Sequence, residues 1–208
     1  MKQEEWRLFL ANLRKLPRKS LHELSGTTHE EKRTFCVPDS IFGKKKAVDF
    51  DGFKDSRYSS GNNRPCSMDA LFLPRETSQI LYGIEFKTGD VEPINLVRKI
   101  YDTVICLWEH VEPKCDFRWS RTSFEAVVVA PEEEISKARR NRFNKQSNEI
   151  RVINRPYYFP KKHAGSRRES PLWGLKDLQA VVVRRVYTLS PSEFEQFAIE
   201  HRWYNPRK

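Results

Sequence analysis

The stretch SMDALFLPRETSQILYGIEFKTG, residues 67–89, holds two strand-like apolar runs, and each carries charge where a buried strand ordinarily does not. Asp69 lies inside the first run; Glu85 and Lys87 lie near the end of the second. Side chains alternate across a strand, so Glu85 and Lys87 share one face while Ile84 and Phe86 enter the opposite layer. Asp69 reaches their side if its strand pairs alongside in suitable register. Neighbouring carboxylates repel, and a site built from them is stable only with a cation or a proton between them. Oxygen-only ligation favours a hard divalent ion, and few protein ligands with room for water and phosphate favour Mg²⁺ or Mn²⁺. Such an ion activates water and neutralises charge developing on a phosphate, and a lysine beside it adds positive charge and orients the nucleophile. Two alternatives stand beside this. The three charges can be solvated residues on the open face of an antiparallel sheet, with Glu85 and Lys87 in surface ion pairs. Asp49 and Asp51 in AVDFDGF form a rival acidic pair.

The elements that must position these residues follow from periodicity and punctuation. Residues 3–16 carry Trp6, Leu8, Phe9, Leu10, Leu13 and Leu16 as a helical stripe that Pro17 stops. Residues 20–45 are mixed, with SGTTHEEKR as turn and GKKK as loop. AVDFDGF (47–53) alternates like a half-buried strand, and 54–65 is a turn-rich loop. MDALFL and ILYGIEF suit neighbouring, antiparallel central strands. After the TGD turn, Pro93 opens a helix over 93–110 that buries Leu96, Val97, Ile100, Val104, Leu107 and Trp108. Asn95, Lys99 and Asp102 fall along its polar face. SFEAVVVA (123–130) is a strand, and PEEEISKARRNRF starts a helix with acids in its first turn. The basic stretch then continues as loop, with a short strand at 150–154. LQAVVVRRVYTL (178–189) is the last strand, and Ser190, Pro191 and Glu193 open the last helix as a capping box. This order describes one mixed α/β (α+β) domain over residues 1–208, with a central mixed sheet flanked by helices.

Asp69, fifteen residues, then Glu85-Phe86-Lys87 at a strand end and a helix behind it, resembles the PD-(D/E)XK nuclease superfamily. The resemblance covers roughly residues 47–130 in element order, its motif proper is three residues, and IEFKTG is the closest match. It implies a restriction-endonuclease-like αβββαβ core and phosphodiester hydrolysis. Carried over, Asp69 and Glu85 ligate the metal with the Phe86 carbonyl, and Lys87 positions or activates the attacking water. Cys66-Ser67-Met68 stands where the motif's name places a proline before the aspartate, and Pro65 lies several residues too early. Relatives often carry an acid in the preceding helix, for which Glu4, Glu5, Glu23, Glu30 and Glu31 are candidates. Polar residues of the following helix often approach the site; Asn95 and Lys99 are the candidates, with Asp102 holding Lys99 at i+3.

The chain has 208 residues, 38% hydrophobic, 12% aromatic and 32% charged, enough for a sizeable core and unlike a disordered chain. Its formal net charge is +10, which favours a polyanionic partner. Between residues 137 and 168, eleven Lys or Arg face a single acid, Glu149. These cations (Lys137, Arg139, Arg140, Arg142, Lys145, Arg151, Arg155, Lys161, Lys162, Arg167, Arg168) read as a basic insertion or arm at about 137–170 that grips a nucleic-acid backbone. Phe143, Tyr157, Tyr158 and Phe159 among them could stack on unpaired bases. The bland alternative is a solubilising loop with its aromatics in the core.

Cys36, Cys66, Cys106 and Cys115 lack a CxxC spacing and read as free thiols of a reducing compartment. The five histidines are scattered, with no zinc-like spacing. No signal-peptide core opens the chain, and no stretch has the length to span a bilayer. The expectation is a cytoplasmic protein, of a bacterium or of a host cell if virus-encoded, without a membrane partner. The function expected is metal-dependent hydrolysis of nucleic acid, DNA ahead of RNA, with a homodimer as one possible assembly. The rivals are a catalytically inactive nuclease fold that binds nucleic acid, and a small virus- or mobile-element-encoded protein that binds a host protein.

Overall fold

Trp6, Phe9, Leu10 and Leu13 are buried along one side of α1 (Gln3–Arg14), and Leu8, off that stripe, is left 54% exposed. The computed structural model describes residues 3–29, 32–58, 65–73, 79–113, 117–152 and 170–203. After α1 come β1 (Arg18–Ser20), α2 (Leu21–Leu24), β2 (Gly26–His29), β3 (Lys32–Phe35) and α3 (Asp39–Phe42). Next are β4 (Lys46–Asp49), α4 (Phe50–Arg57), β5 (Ala70–Phe72) and β6 (Leu81–Phe86). The chain continues with α5 (Pro93–His110), α6 (Ser120–Ser123), β7 (Phe124–Val129), α7 (Glu132–Val152), β8 (Arg185–Leu189) and α8 (Pro191–Glu200).

Six strands form one sheet in the order β1-β4-β5-β6-β7-β8. The β1–β4, β4–β5 and β5–β6 pairs are antiparallel; β6–β7 and β7–β8 are parallel. Parallel neighbours need a crossover, and α5 and α7 supply the two. The fold is therefore a single mixed α/β domain with a mixed sheet flanked by helices. Alternation along the central strands divides the core in two. Leu71, Leu81, Phe124, Ala126 and Val128 face α1, α4 and α5. Ala70, Phe72, Tyr82, Ile84, Phe86, Val127 and Val129 face α3 and α8. Among the described residues no helix is long and apolar enough to cross a membrane, and Cys36, Cys66 and Cys106 are free thiols; Cys115 lies outside them.

Several elements depart from the sequence expectation. The strand expected over 47–53 ends at Asp49, whose carboxylate accepts a hydrogen bond from Gly52 N at 3.1 Å and caps α4. Phe50 and Phe53, three apart, are then both buried by a helical turn, and Lys54–Arg57 are helix rather than loop. Of the residues expected as turn over 25–33, Gly26–His29 and Lys32 with Arg33 are paired strand in β2 and β3. The basic stretch stays helical through Val152 where a loop and then a strand were expected, because neither glycine nor proline interrupts it between Pro131 and Pro156. The apolar run expected as strand over 178–189 is extended only from Arg185. Val182 N and Val183 N both donate to Leu178 O, and this turn buries the two valines as a strand would have. Trp108 is 41% exposed, not buried, because it sits about 100° around α5 from the buried Leu107.

Candidate active site

Ala70 pairs with Ile84 across β5 and β6, so the next positions outward, Asp69 and Glu85, stand opposite each other on one face of the sheet. Lys87 follows Glu85 on that face at the strand end. This is the face covered by α5, from which Lys99 reaches down. Its ammonium donates to Glu85 Oε1 at 2.8 Å and Oε2 at 2.9 Å, and it lies 3.4 Å from Asp69 Oδ1. Lys87 Nζ sits 2.8 Å from Glu85 Oε1. The other oxygen of Asp69 accepts from Phe86 N at 2.7 Å. Glu85 is 1% exposed, and the side chains of Asp69, Lys87 and Lys99 are about one-fifth exposed. All four line a cleft of about 370 Å³ with Thr88 and Gly89, and the start of the β2–β3 hairpin (Gly26, Thr27) forms its far wall.

The electrostatics follow from this crowding. Burial first, and the Glu85 charge second, push the Asp69 carboxyl up from 3.8 to about 7, against the pull of Lys99 and the Phe86 N–H. Burial disfavours the Lys99 ammonium, but the Asp69 and Glu85 carboxylates outweigh it and raise its pKa above the ordinary lysine value.

Two hydrogen bonds from the strand approach fix Asp69. Cys66 N donates to Asp102 Oδ2 at 2.8 Å, and Met68 N donates to Thr103 Oγ1 at 2.9 Å, which ties the segment ahead of β5 to α5. Asp102 therefore does not hold Lys99 as the i+3 spacing suggested; it serves Cys66 and, at 3.5 Å, Arg98. Asn95 is also away from the cleft contacts: it is exposed and donates to the Glu92 carboxylate at the helix start.

The rival acidic pair is split. Asp49 caps α4 and meets Lys19 at 2.6 Å, whereas Asp51 accepts from Ser67 Oγ at 2.7 Å and Lys54 Nζ at 2.6 Å. Burial works against the Asp51 charge, yet these two hydrogen bonds, together with the Lys54 and Lys99 charges, outweigh it and hold the carboxyl below its usual range. Asp51 lies near enough that its charge raises the pKa of both Asp69 and Lys99. Of the candidate first-helix acids, Glu4 and Glu5 are exposed on α1. Glu23 belongs to the α2 capping box, where backbone and hydroxyl hydrogen bonds from Ser20 hold it down to about 2. Glu30 and Glu31 lie outside the described residues.

Asp90, which also lines the cleft, was missed by sequence reasoning; its only signal was the TGD turn directly after the EFK motif. Among the described residues, no group of three or more His, Cys, Asp or Glu is placed to hold a metal ion. The two carboxylates that stand together in the cleft are those of Asp69 and Glu85.

The chain matches no family model, no curated protein and no solved structure. What the site is capable of thus rests on its own geometry.

The basic residues fall into three groups. Lys137 pairs with Glu134 at 3.1 Å, Arg139 with Glu193 of α8 at 2.7 Å, and Arg142 donates to Ser170 O at 2.7 Å, while Arg140 is exposed. Lys145 and Arg151 are on the α7 backbone. Arg155, Lys161, Lys162, Arg167 and Arg168 lie outside the described residues, as do Tyr157, Tyr158 and Phe159. Arg139 thus locks α7 to α8, a structural use that the charge count alone could not separate from phosphate contact.

Proposed function

We propose that the protein is a divalent-metal-dependent phosphodiesterase acting on nucleic acid, with DNA ahead of RNA as substrate. The observation that carries this is a single ammonium, that of Lys99, in contact with both Asp69 and Glu85 at the mouth of a cleft. The carboxylates are close enough to share one cation, and a lysine amine stands in for it. The donor set suits Mg²⁺ or Mn²⁺: two carboxylates on adjacent strands, with the remaining positions open to water and phosphate oxygens. Asp69 and Glu85 would hold the ion, with the Phe86 carbonyl as a further candidate ligand. When bound, it supplies Lewis-acid stabilisation of the charge that builds on the phosphate.

The chain's own groups do the rest. Lys87 lies on the Glu85 side of the cleft and has two further N–H bonds to direct at a water or a phosphate oxygen. Lys99 reaches both carboxylates from α5, and an ion held by them would leave its ammonium free to contact a phosphate oxygen. Asp102 and Thr103 keep Asp69 in place through the backbone of Cys66 and Met68. Lys137, Arg140 and Arg142 along α7 offer charge to the backbone without reading sequence.

Cleavage of end-labelled linear, branched and single-stranded DNA and RNA, with Mg²⁺, with Mn²⁺ and with chelator, tests the proposal. Asp69→Asn and Lys87→Ala are each expected to lower the rate by about 100-fold or more. A folded Asp69→Asn protein that cleaves at the wild-type rate would sink the assignment.

A second function is favoured by one detail: two lysines already satisfy Glu85, so the site is neutralised without any metal. A catalytically inactive nuclease fold that binds nucleic acid or a host protein has that property. It predicts salt-sensitive binding indifferent to chelator and to Asp69→Asn.

A further inference from the structure

We propose that the groove between α7 and residues 171–177 receives an unpaired nucleotide of the nucleic-acid substrate, stacked on Trp173. This rests on reading the neighbouring cleft as a phosphodiesterase site.

The groove has a volume of about 500 Å³. Its floor is apolar, made by Val91, Ala138, Leu172 and Trp173, which pack around one small buried cluster. Its rim is polar: Lys137, Asn141, Arg142 and Lys176 on one account, Glu134 and Asp177 on the other, with Glu134 engaged by Lys137. An apolar floor with convergent polar groups at the edge suits a flat ring carrying donors and acceptors around its perimeter.

Trp173 is held in an unusual way. Its φ is +54°, followed by Gly174 at +73°. A bulky residue in the left-handed region is strained, and such strain persists where the surroundings enforce it, which is most often at functional sites. The consequence is a half-buried indole fixed in the groove wall. Among the described residues no other aromatic ring stacks on it.

Position and charge choose the occupant. Val91 of the groove directly follows Asp90 of the candidate active site, so the two cavities share a boundary in the chain. Lys137, Arg142 and Lys176 line the groove against Glu134 and Asp177, and this one-charge excess of cations favours a phosphate beside a bound base. Bases in a duplex already stack on one another; an indole reaches a base face only when the nucleotide is unpaired.

The test is anisotropy of fluorescein-labelled oligo(dT), and of a blunt duplex of equal length, with the full chain in chelator. Trp173→Ala is expected to weaken oligo(dT) binding about tenfold, and Trp173→Phe much less, as loss of one stacked base predicts. The loss for oligo(dT) should exceed that for the duplex. Lys176→Glu, at an exposed position that leaves the fold intact, should also weaken oligo(dT), so the proposal stays open to refutation if the alanine variant does not fold. Wild-type affinity in a folded Trp173→Ala protein overturns it, and so, where that variant does not fold, does wild-type affinity in Lys176→Glu. So does displacement of oligo(dT) by polyglutamate as readily as by unlabelled oligo(dT), which would make the groove a general polyanion or acidic-peptide site. Because binding is read without metal, it separates from turnover. Trp173-dependent binding without Mg²⁺-dependent cleavage refutes hydrolysis and keeps the groove; cleavage with Trp173-independent binding does the reverse.

Discussion

Lys99 on α5 donates to both carboxylate oxygens of Glu85 on β6, at 2.8 and 2.9 Å, so helix and sheet are joined by an ion pair whose acidic member is 1% exposed. A buried carboxylate that loses its partner keeps its desolvation penalty and forfeits the compensation. Lys99→Met should therefore lower stability in chelator by about 3 kcal/mol, moderated by Lys87. Added Mg²⁺ should restore part of the loss, since the vacated place lies between two carboxylates. Urea denaturation with and without Mg²⁺ measures both effects; an unchanged midpoint in chelator would show that the pair contributes nothing net.

Asp69 provides the pH dependence. Its carboxyl is raised from 3.8 to about 7, so over that window the folded chain holds a proton that the unfolded chain has released. Without metal, its contribution to stability is full below about pH 4, falls as pH rises towards 7, and is level above. Asp69→Asn, which carries no proton to release, should flatten this part of the profile. Denaturant midpoints at half-unit pH intervals in chelator, compared between the two proteins, decide it. Parallel profiles would mean that Asp69 titrates as it does in the unfolded chain.

Thr103 is fully buried and accepts the Met68 N–H at 2.9 Å, one residue before Asp69. Thr103→Val keeps the shape and removes the acceptor, at a cost of about 1–2 kcal/mol. Because the lost hydrogen bond fixes the approach to Asp69, the proposed hydrolysis predicts a cleavage rate that falls further than the population of folded protein accounts for. A rate loss fully explained by unfolding would reduce Thr103 to a packing residue.

Gly83 sits on the same face of β6 as Glu85, two residues before it. A Cβ at this position would lie 2.4 Å from Phe124 Cζ and 2.7 Å from Met68 Sδ, so Gly83→Ala forces the ring and the thioether apart. Overpacking of this kind costs about 1–3 kcal/mol. The expected result is a lower thermal midpoint with unchanged secondary structure by circular dichroism; an unaltered midpoint would show that Phe124 has room to rotate away.

What the amino-acid sequence settled by itself is local. Alternation in ILYGIEF put Glu85 and Lys87 on one face, Pro93 and the apolar stripe defined α5 over 93–110, and Ser190 with Glu193 marked the start of α8. These depend on backbone periods and short-range hydrogen bonds, which neighbouring residues fix. Where two local structures suit the same stretch, the sequence is ambiguous: AVDFDGF alternates like a half-buried strand, yet Phe50 and Phe53, three apart, are buried together only by a helical turn, and Val182 and Val183 are buried by a turn. The tertiary structure alone decided register and partners. The Ala70–Ile84 pairing set Asp69 opposite Glu85, and the packing of α5 across the sheet sent Lys99 to these carboxylates and Asp102 to Cys66. A one-residue slip in that register would have turned Asp69 to the other face, and no pattern within either strand forbids it.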